Sequence, residues 1–497
     1  MSYISRFILW TGMLSVVLLA GGCRRHTLDG NAGKDSELVD AMLILRCNEL
    51  ETRAATREEQ ERQVNDLNLF FVHKSYPSPT GPEVRHYYFS SVDVAKHLKL
   101  TNIRLGKYRM YAVANAGGSL CSDSHHPTDP TAVGESFCSM TEQQIKALVV
   151  SSGKKDLTQA DGMLMSSVDE NMEIKRAKHP GDQVAEGSIV PISIVLERKV
   201  AKFQFSYELG GDMVGKMKIT SIGARYAPKN VAVFEKSTPS SSGDFLAMDV
   251  VRPLRNFVAD GSEGYGGNIS KEDPIIFYLQ ENMQGDVSGI TDPRDRNGHK
   301  APKYASYIFL DGTYKESENE KAEQYGFSIF LGNNTTDNFD VEGNAYYHVH
   351  LELNGLDPDD IRISSLKINV LSAFPVDFKL NEPQEAIVEI ICSNYFNDEL
   401  QLVCTAPGAR GQHFDVFPLI VKPDGTEELG PAFDDVSGTG DGWYDVLETD
   451  DQPGERRVKC KVVYTQTMSS GLIQMNLMLR SRYGTATVVD RKNIIVE

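Results

Sequence analysis

Residues 188–207 read SIVPISIVLERKVAKFQFSY. Ile192, Ile194 and Leu196 share one parity, and Phe203, Phe205 and Tyr207 share another. Side chains leave a strand on opposite faces in turn, so strict alternation over a few residues marks a half-buried strand. The charged break Glu197–Lys199 lies between the two runs, and Val200 shifts the count. The pair reads as the end of one β-sandwich and the start of the next.

The same short period recurs along the chain. Leu67, Leu69 and Phe71 alternate, as do Ile103 and Leu105 in NIRLGKYRMYAV. Further strand patterns are GKMKITSIGARY, DPIIFYLQEN, YASYIFLDGTY, YGFSIFLG, YYHVHLELNG and IRISSLKINVL, with Gly-, Ser- and Asp-rich loops between them. One short helix is expected after residue 140, where Ser139 and Glu142 have capping-box spacing ahead of QQIKALVV. From about residue 373 a further block contains EAIVEIICSN, ELQLVCTA, FDVFPLIVKP, RRVKCKVVYTQT and GLIQMNLMLRSRYG. In the last of these Ile473, Met475, Leu477 and Leu479 line one face. Closely spaced short strands without helix-length apolar periods imply sandwiches and not alternating β/α units. The chain has 497 residues, which suits about three domains.

The N-terminus carries an export pattern. Arg6 precedes the apolar run FILWTGMLSVVLLA, which is shorter than the ~20 residues that span a bilayer. It ends in Leu19-Ala20-Gly21-Gly22-Cys23, a lipobox with its leucine one place early. This predicts a signal peptide over 1–22 and a diacylglyceryl anchor on Cys23. Export makes disulfides permissible. Cys121 with Cys138 and Cys392 with Cys404 are the closest pairs in sequence, and buried free thiols are the alternative. The formal charge of −18 argues against nucleic-acid partners, because phosphate binding needs clustered Lys and Arg.

Catalytic constellations are missing from the pattern. No Gly-rich phosphate loop precedes a helix, and neither HExxH nor a nucleophile elbow occurs. His125 and His126 near Cys121 are adjacent and point apart in extended chain. His348 and His350 share one face of a strand, which fits cross-strand packing. Asp434–Asp451 has the oxygen ligands and glycines of a calcium loop, without EF-hand spacing. Trp443 in that loop could anchor it or stack on a sugar ring. The expectation is a non-enzymatic protein with no cofactor and no metal.

One stretch remains. AMLILRC is strand-like, VNDLNLFFV is strand-like, and between them lie Arg53 and Arg57 in a polar run, with Arg46 inside the first strand and Arg62 near the second. AMLILRCNELETRAATREEQERQVNDLNLFFV is similar to the first strand, arginine-containing processing loop and second strand of the fimbrillins, lipoprotein-derived subunits of type V pili. YRMYAVANAGG, MTEQQIKALVV and FYLQENMQG resemble further pieces of that family. So do YGFSIFLGNN and FDVEGNAYYHVHLELNGLDPDDIRI. Leu196, Glu197, Arg198, Val200, Ala201 and Lys202 fit its L-E-R-x-V-A-K signature residue by residue. The resemblance spans about residues 23–375, and is to the longer minor or tip subunits.

The resemblance implies an all-β fold of tandem transthyretin-like or immunoglobulin-like β-sandwiches, with a third C-terminal β domain. The expected division is a lipidated propeptide with the first strand over 23–57, sandwiches over 38–195 and 196–372, and the last domain over 373–497. It implies a structural and adhesive subunit of a surface fimbrium, lipid-anchored in the outer membrane until an arginine-specific protease cuts after Arg53 or Arg57. Loss of the first strand opens a groove for a strand of the next subunit. The implied partners are other fimbrial subunits and a host or bacterial cell-surface receptor. The extra C-terminal block departs from ordinary stalk subunits and suits a minor or tip position. Two alternatives stay open: an anchoring subunit that keeps its lipid, and a surface glycan-binding lipoprotein.

Overall fold

A computed structural model describes residues 37–496 except 48–59, 79–80, 94–96, 122–133, 152–161, 179–184, 186, 247–248, 254–267, 318, 321, 358, 374–376, 379–382, 397–398, 406–413, 437–441, 465–470 and 482–486. The first block holds β1 (Leu38–Cys47), β2 (Leu67–Ser78), β3 (Gly81–Phe89), β4 (Leu98–Arg104), β5 (Gly106–Ala114), β6 (Gly134–Phe137), helix α1 (Glu142–Lys146), β7 (Val149–Ser151), β8 (Met165–Ile174) and β9 (Ile192–Arg198). The second holds β10 (Val200–Leu209), β11 (Met217–Arg225), β12 (Asn230–Ala232), β13 (Asp249–Pro253), β14 (Ile275–Gln280), β15 (Tyr307–Tyr314), β16 (Glu323–Phe330), β17 (Tyr346–Leu353) and β18 (Ile363–Ser372). The third holds β19 (Asp377–Phe378), β20 (Gln384–Ser393), β21 (Glu399–Thr405), β22 (Phe414–Val421), β23 (Glu427–Leu429), β24 (Trp443–Glu448), β25 (Glu455–Tyr464), β26 (Gly471–Ser481) and β27 (Thr487–Val496). The protein is all-β, built of several β-sandwiches.

In the first block the strand order is β4-β1-β9-β8-β5-β2-β3-β6. β8 and β9 share only the pairs Met165↔Arg198 and Ser166↔Glu197. The chain of strands folds over at this narrow join, so that Leu43 and Ile194 meet Leu69, Phe71 and Met110 in one buried cluster. The opposite face of β2 and β5 is covered too. Phe70, Tyr111 and Val113 pack there with Ile145 of α1 and with Val231 and Val233 from the second block. The second sandwich sets β14-β10-β17 against β11, β15 and β16, with Phe203, Phe277, Ile222 and Leu310 between them. The third packs β20 and β25 on β21 and β24, around Val388, Ile390, Leu402 and Val462.

Several expectations need correction. The break between tandem strands is Lys199 alone, because β9 runs on through Glu197 and Arg198. Leu196 therefore packs in the first cluster and Ala201 in the second. No gap in the ladder falls at residue 373. β18 pairs with β16 through Ile363–Leu366 and with β20 from Ser365 onward, and its Leu366 and Ile368 join the third cluster. One nine-stranded sheet thus passes from the second block into the third. NIRLGKYRMYAV is two strands and not one. Gly106 turns the chain at φ 141°, and a Cβ there would lie 2.6 Å from His73 Nε2. The capping box of α1 is Thr141 with Gln144, two residues later than Ser139 and Glu142. Glu142 instead accepts from the Tyr111 hydroxyl at 2.7 Å and pairs with Arg109. A side chain with partners across the sheet is not available to reach back to its own helix N-terminus.

Cys121 and Cys138 form a disulfide in the cluster beneath α1, with Cα atoms 5.9 Å apart. Cys392, Cys404 and Cys460 are buried cysteines of the third core. Burial pushes the Cys460 thiol up to about 12, so it stays protonated and inert at neutral pH. The bridge spans 17 positions of sequence. A loop of that size contributes about 3 kcal/mol by restricting the unfolded chain. The paired Ser variant at Cys121 and Cys138 is expected to lose about 2–4 kcal/mol, read as a lower urea midpoint for the first sandwich.

Candidate functional site

β1 is an interior strand. It pairs antiparallel with β4 (Leu43↔Leu98) and parallel with β9 (Leu43↔Ile192 through Cys47↔Leu196). Alternation decides which side chains enter the core. Val39, Ala41, Leu43 and Leu45 are buried, whereas Met42 is exposed and Ile44 half-buried. Both parities of AMLILRC are apolar, and the register settles on the odd one. Arg46 lies within the ladder opposite Val195, where its backbone is held in extended pairing. Cys23, Arg53 and Arg57 lie outside the described residues, as do His125 and His126.

Downstream of the arginine run, the chain is gripped before β2 begins. Residues 60–63 form a turn closed by Gln63 N–H on the Gln60 carbonyl at 3.2 Å. Glu61 in this turn is only 1% exposed. Its Oε1 accepts from Lys202 Nζ at 2.7 Å and from the Tyr278 hydroxyl at 2.7 Å. Arg198 Nε donates to the Glu61 carbonyl at 3.0 Å. Burial pulls Arg198 below the ordinary arginine range, and the Glu61 carboxylate opposes that shift. Arg198 ends β9 in the first sandwich, while Lys202 and Tyr278 stand on β10 and β14 of the second. A buried carboxylate is tolerable only when paired and hydrogen-bonded. Here the second sandwich supplies both donors to the carboxylate, and Arg198 of the first holds the Glu61 backbone carbonyl.

The ANAGG stretch grips the same segment from the other side. Asn115 adopts φ 62°, a conformation that asparagine tolerates better than most residues. Its Nδ2 donates to the Gln63 carbonyl at 2.9 Å and the Met163 carbonyl at 2.7 Å, and its Oδ1 accepts from Asn65 N–H at 2.7 Å. The Asp66 carboxylate accepts from Ala116 and Gly117 N–H, each at 3.0 Å. Burial raises the Asp66 carboxyl, and these two N–H groups oppose the shift. Upstream, the Cys47 thiol donates to the Arg62 carbonyl at 3.6 Å. The arginine run is therefore bracketed by a strand locked into its sheet and a turn pinned, apart from the Cys47 contact, by side chains outside that strand.

Sequence reasoning singled out Leu196–Lys202 and ANAGG as separate motifs and passed over Glu61. The structure brings them together on residues 61–66. Glu61 sits in the polar run REEQERQ, where nothing local distinguishes a buried carboxylate from a solvated one.

The other candidates resolve differently. His350 Nδ1 lies 2.9 Å from Ser206 Oγ, and His348 packs 4.4 Å from the Tyr346 ring. Trp443 opens β24 and pairs with Val403, so the acidic stretch is part strand. Asp435 there accepts from Gly442 and Trp443 N–H, each at 3.1 Å, which uses its oxygens on backbone. Among the described residues no three His, Cys, Asp or Glu side chains cluster for a metal. No described helix is long and apolar enough to cross a membrane.

Residues 277–351 match the model of a domain of unknown function, DUF4906. No curated protein matches the chain. Among solved structures, a candidate cell adhesion protein from Bacteroides eggerthii is 14% identical, with 66% of this chain and 89% of that chain covered at a TM-score of 0.37. The C-terminally truncated tip fimbrial protein Mfa3 from Porphyromonas gingivalis is 13% identical, covering 65% and 97% at 0.34. A candidate adhesin from Bacteroides ovatus is 14% identical, covering 69% and 96% at 0.27. At these scores the likeness carries no argument, and the functional reading rests on the residues themselves.

Proposed function

We propose that the protein is a structural and adhesive subunit of a surface fimbrium. It is exported as a lipoprotein on Cys23, cut after Arg53 or Arg57, and joined to its neighbour by a donor strand that replaces β1. The observation that supports this most is the bracketing of the arginine run. Removing an interior strand normally unravels a sheet, because two ladders lose their partner. Here residues 61–66 are tethered chiefly by side chains outside β1, so a cut upstream frees β1 without freeing β2. The vacated site lies between β4 and β9 and exposes the floor that Leu43 and Leu45 covered. An extended segment of another subunit suits such a site. The third sandwich adds surface beyond the first two, which favours a minor or tip position and a cell-surface receptor as partner.

The mature N-terminus tests the reading. Protein sheared from the cell surface is expected to begin at Ala54 or Glu58. The Arg53→Ala/Arg57→Ala double variant is expected to stay lipidated and outside the fibre. Sheared protein that begins at Cys23 would refute processing and leave the lipid-retaining anchor subunit as the reading. Labelling with a lipid precursor is expected to mark the precursor and to vanish in Cys23→Ala.

A further inference from the structure

The two three-stranded layers are built alike up to one strand. In the first sandwich β1 runs parallel to β9, and its other edge is covered by antiparallel β4. In the second, β17 runs parallel to β10, and among the described strands none covers its other edge. A groove of about 610 Å³ lies along that edge, between β17 and the end of β16. Its apolar floor includes Ile329, Val349, Leu351 and Ile363, each only half-buried against the second core.

The register shows what the edge presents. Lys202 N–H donates to the Ala345 carbonyl at 2.9 Å, and Gly210 N–H to the Leu353 carbonyl at 2.8 Å. Odd-numbered peptide groups of β17 therefore face β10. Those of His348, His350 and Glu352 face the groove. The rim is acidic. Glu352 and Asp357 are exposed, whereas the nearby cations are engaged: Arg362 pairs with Asp360, and Arg296 donates to the carbonyls of Thr336 at 2.9 Å and Phe330 at 3.1 Å.

We propose that β17 is a second docking edge, which takes an antiparallel extended segment of another protein. That segment has aliphatic residues facing the groove and Lys or Arg at the rim. The strand that fills the equivalent place in the first sandwich, LKLTNIR of β4, has this character: Leu100 and Ile103 are buried, and Lys99 and Arg104 are basic. This proposal does not depend on export, cleavage or loss of β1.

The probe is a fluorescent peptide of sequence LKLTNIR, titrated into the full chain and read by anisotropy. Saturable binding is expected. An analogue N-methylated at alternate amides keeps the side chains and loses the ladder, and is expected to bind at least ten-fold more weakly. His348→Pro removes an edge N–H, and an edge strand tolerates proline. It is expected to weaken binding by at least ten-fold, with unchanged melting as the control for folding. Glu352→Lys/Asp357→Lys provides a surface variant that leaves the core untouched, and should weaken binding and flatten its salt dependence. Undetectable binding at millimolar peptide, equal binding of the methylated analogue, or full binding by the double Lys variant would overturn the proposal. Self-association of the chain that His348→Pro abolishes would put a second copy in the groove and overturn the external partner.

Discussion

Lys202→Met is expected to destabilise the junction of the first two sandwiches by about 3–5 kcal/mol. The change keeps the length of the side chain and removes its charge. Glu61, 1% exposed, then has a buried carboxylate whose remaining side-chain donor is the Tyr278 hydroxyl at 2.7 Å. One neutral donor does not compensate a buried charge. Glu61→Leu alone should cost a similar amount, because it strands the Lys202 ammonium. The Glu61→Leu/Lys202→Met pair should recover most of the loss, since apolar replacement of a whole buried ion pair is often near neutral. Urea unfolding of the four proteins gives the coupling directly. Equal, additive losses in the double variant would show that the two residues do not act as a pair. Limited proteolysis adds a local reading: cleavage within residues 60–66 should rise in each single variant.

How far the chain can be read without its structure depends on the range of the interaction. β9 and β10 are legible because their alternation is local, and β1 is legible as a continuous apolar run whose inward parity only the register decides. The arginine run is legible for the same reason, as polar residues between two apolar runs. The two strand runs on either side of residue 199 are legible, but the width of the break between them is not. Glu197 and Arg198 look like a charged break, while in the fold Arg198 is a buried donor that closes the strand. Glu61 is invisible because its burial is decided by Lys202, 141 positions away. The continuous ladder across residue 373 is hidden likewise. The IRISSLKINVL pattern identifies a strand, yet nothing in it says that the strand has neighbours on both edges. The shifted cap of α1 is a smaller case, where two overlapping capping patterns compete and a tertiary contact of Glu142 decides.

The largest effect should come from β1 itself. A chain that begins at Glu58 lacks Val39, Leu43 and Leu45 from the first core. At about 1.5–3 kcal/mol for each fully buried aliphatic side chain, the deficit is about 5–9 kcal/mol. That is comparable to the whole stability of a typical domain. Two ladders also lose their shared partner, which leaves β4 and β9 as open edges. The truncated chain is therefore expected to melt far below the full chain, or to aggregate through the exposed edges. Electrostatics should contribute little. Residues 23–57 carry six basic and six acidic side chains, so their loss does not change the formal net charge of the lipoprotein. A synthetic peptide of residues 38–47, LVDAMLILRC, is expected to restore most of the lost melting temperature when added in trans. The same peptide with Leu43→Lys and Leu45→Lys keeps the backbone groups and should not restore it. Rescue by the first and not the second would locate the driving force in the groove floor that Leu43 and Leu45 fill. Full stability of the truncated chain without peptide would sink the idea that an added strand is needed. Glu61 stays with the body in every case, three residues from its new first residue. The Lys202→Met variant of the truncated chain should then be rescued less well, because the turn that carries the new end is no longer held against the seam.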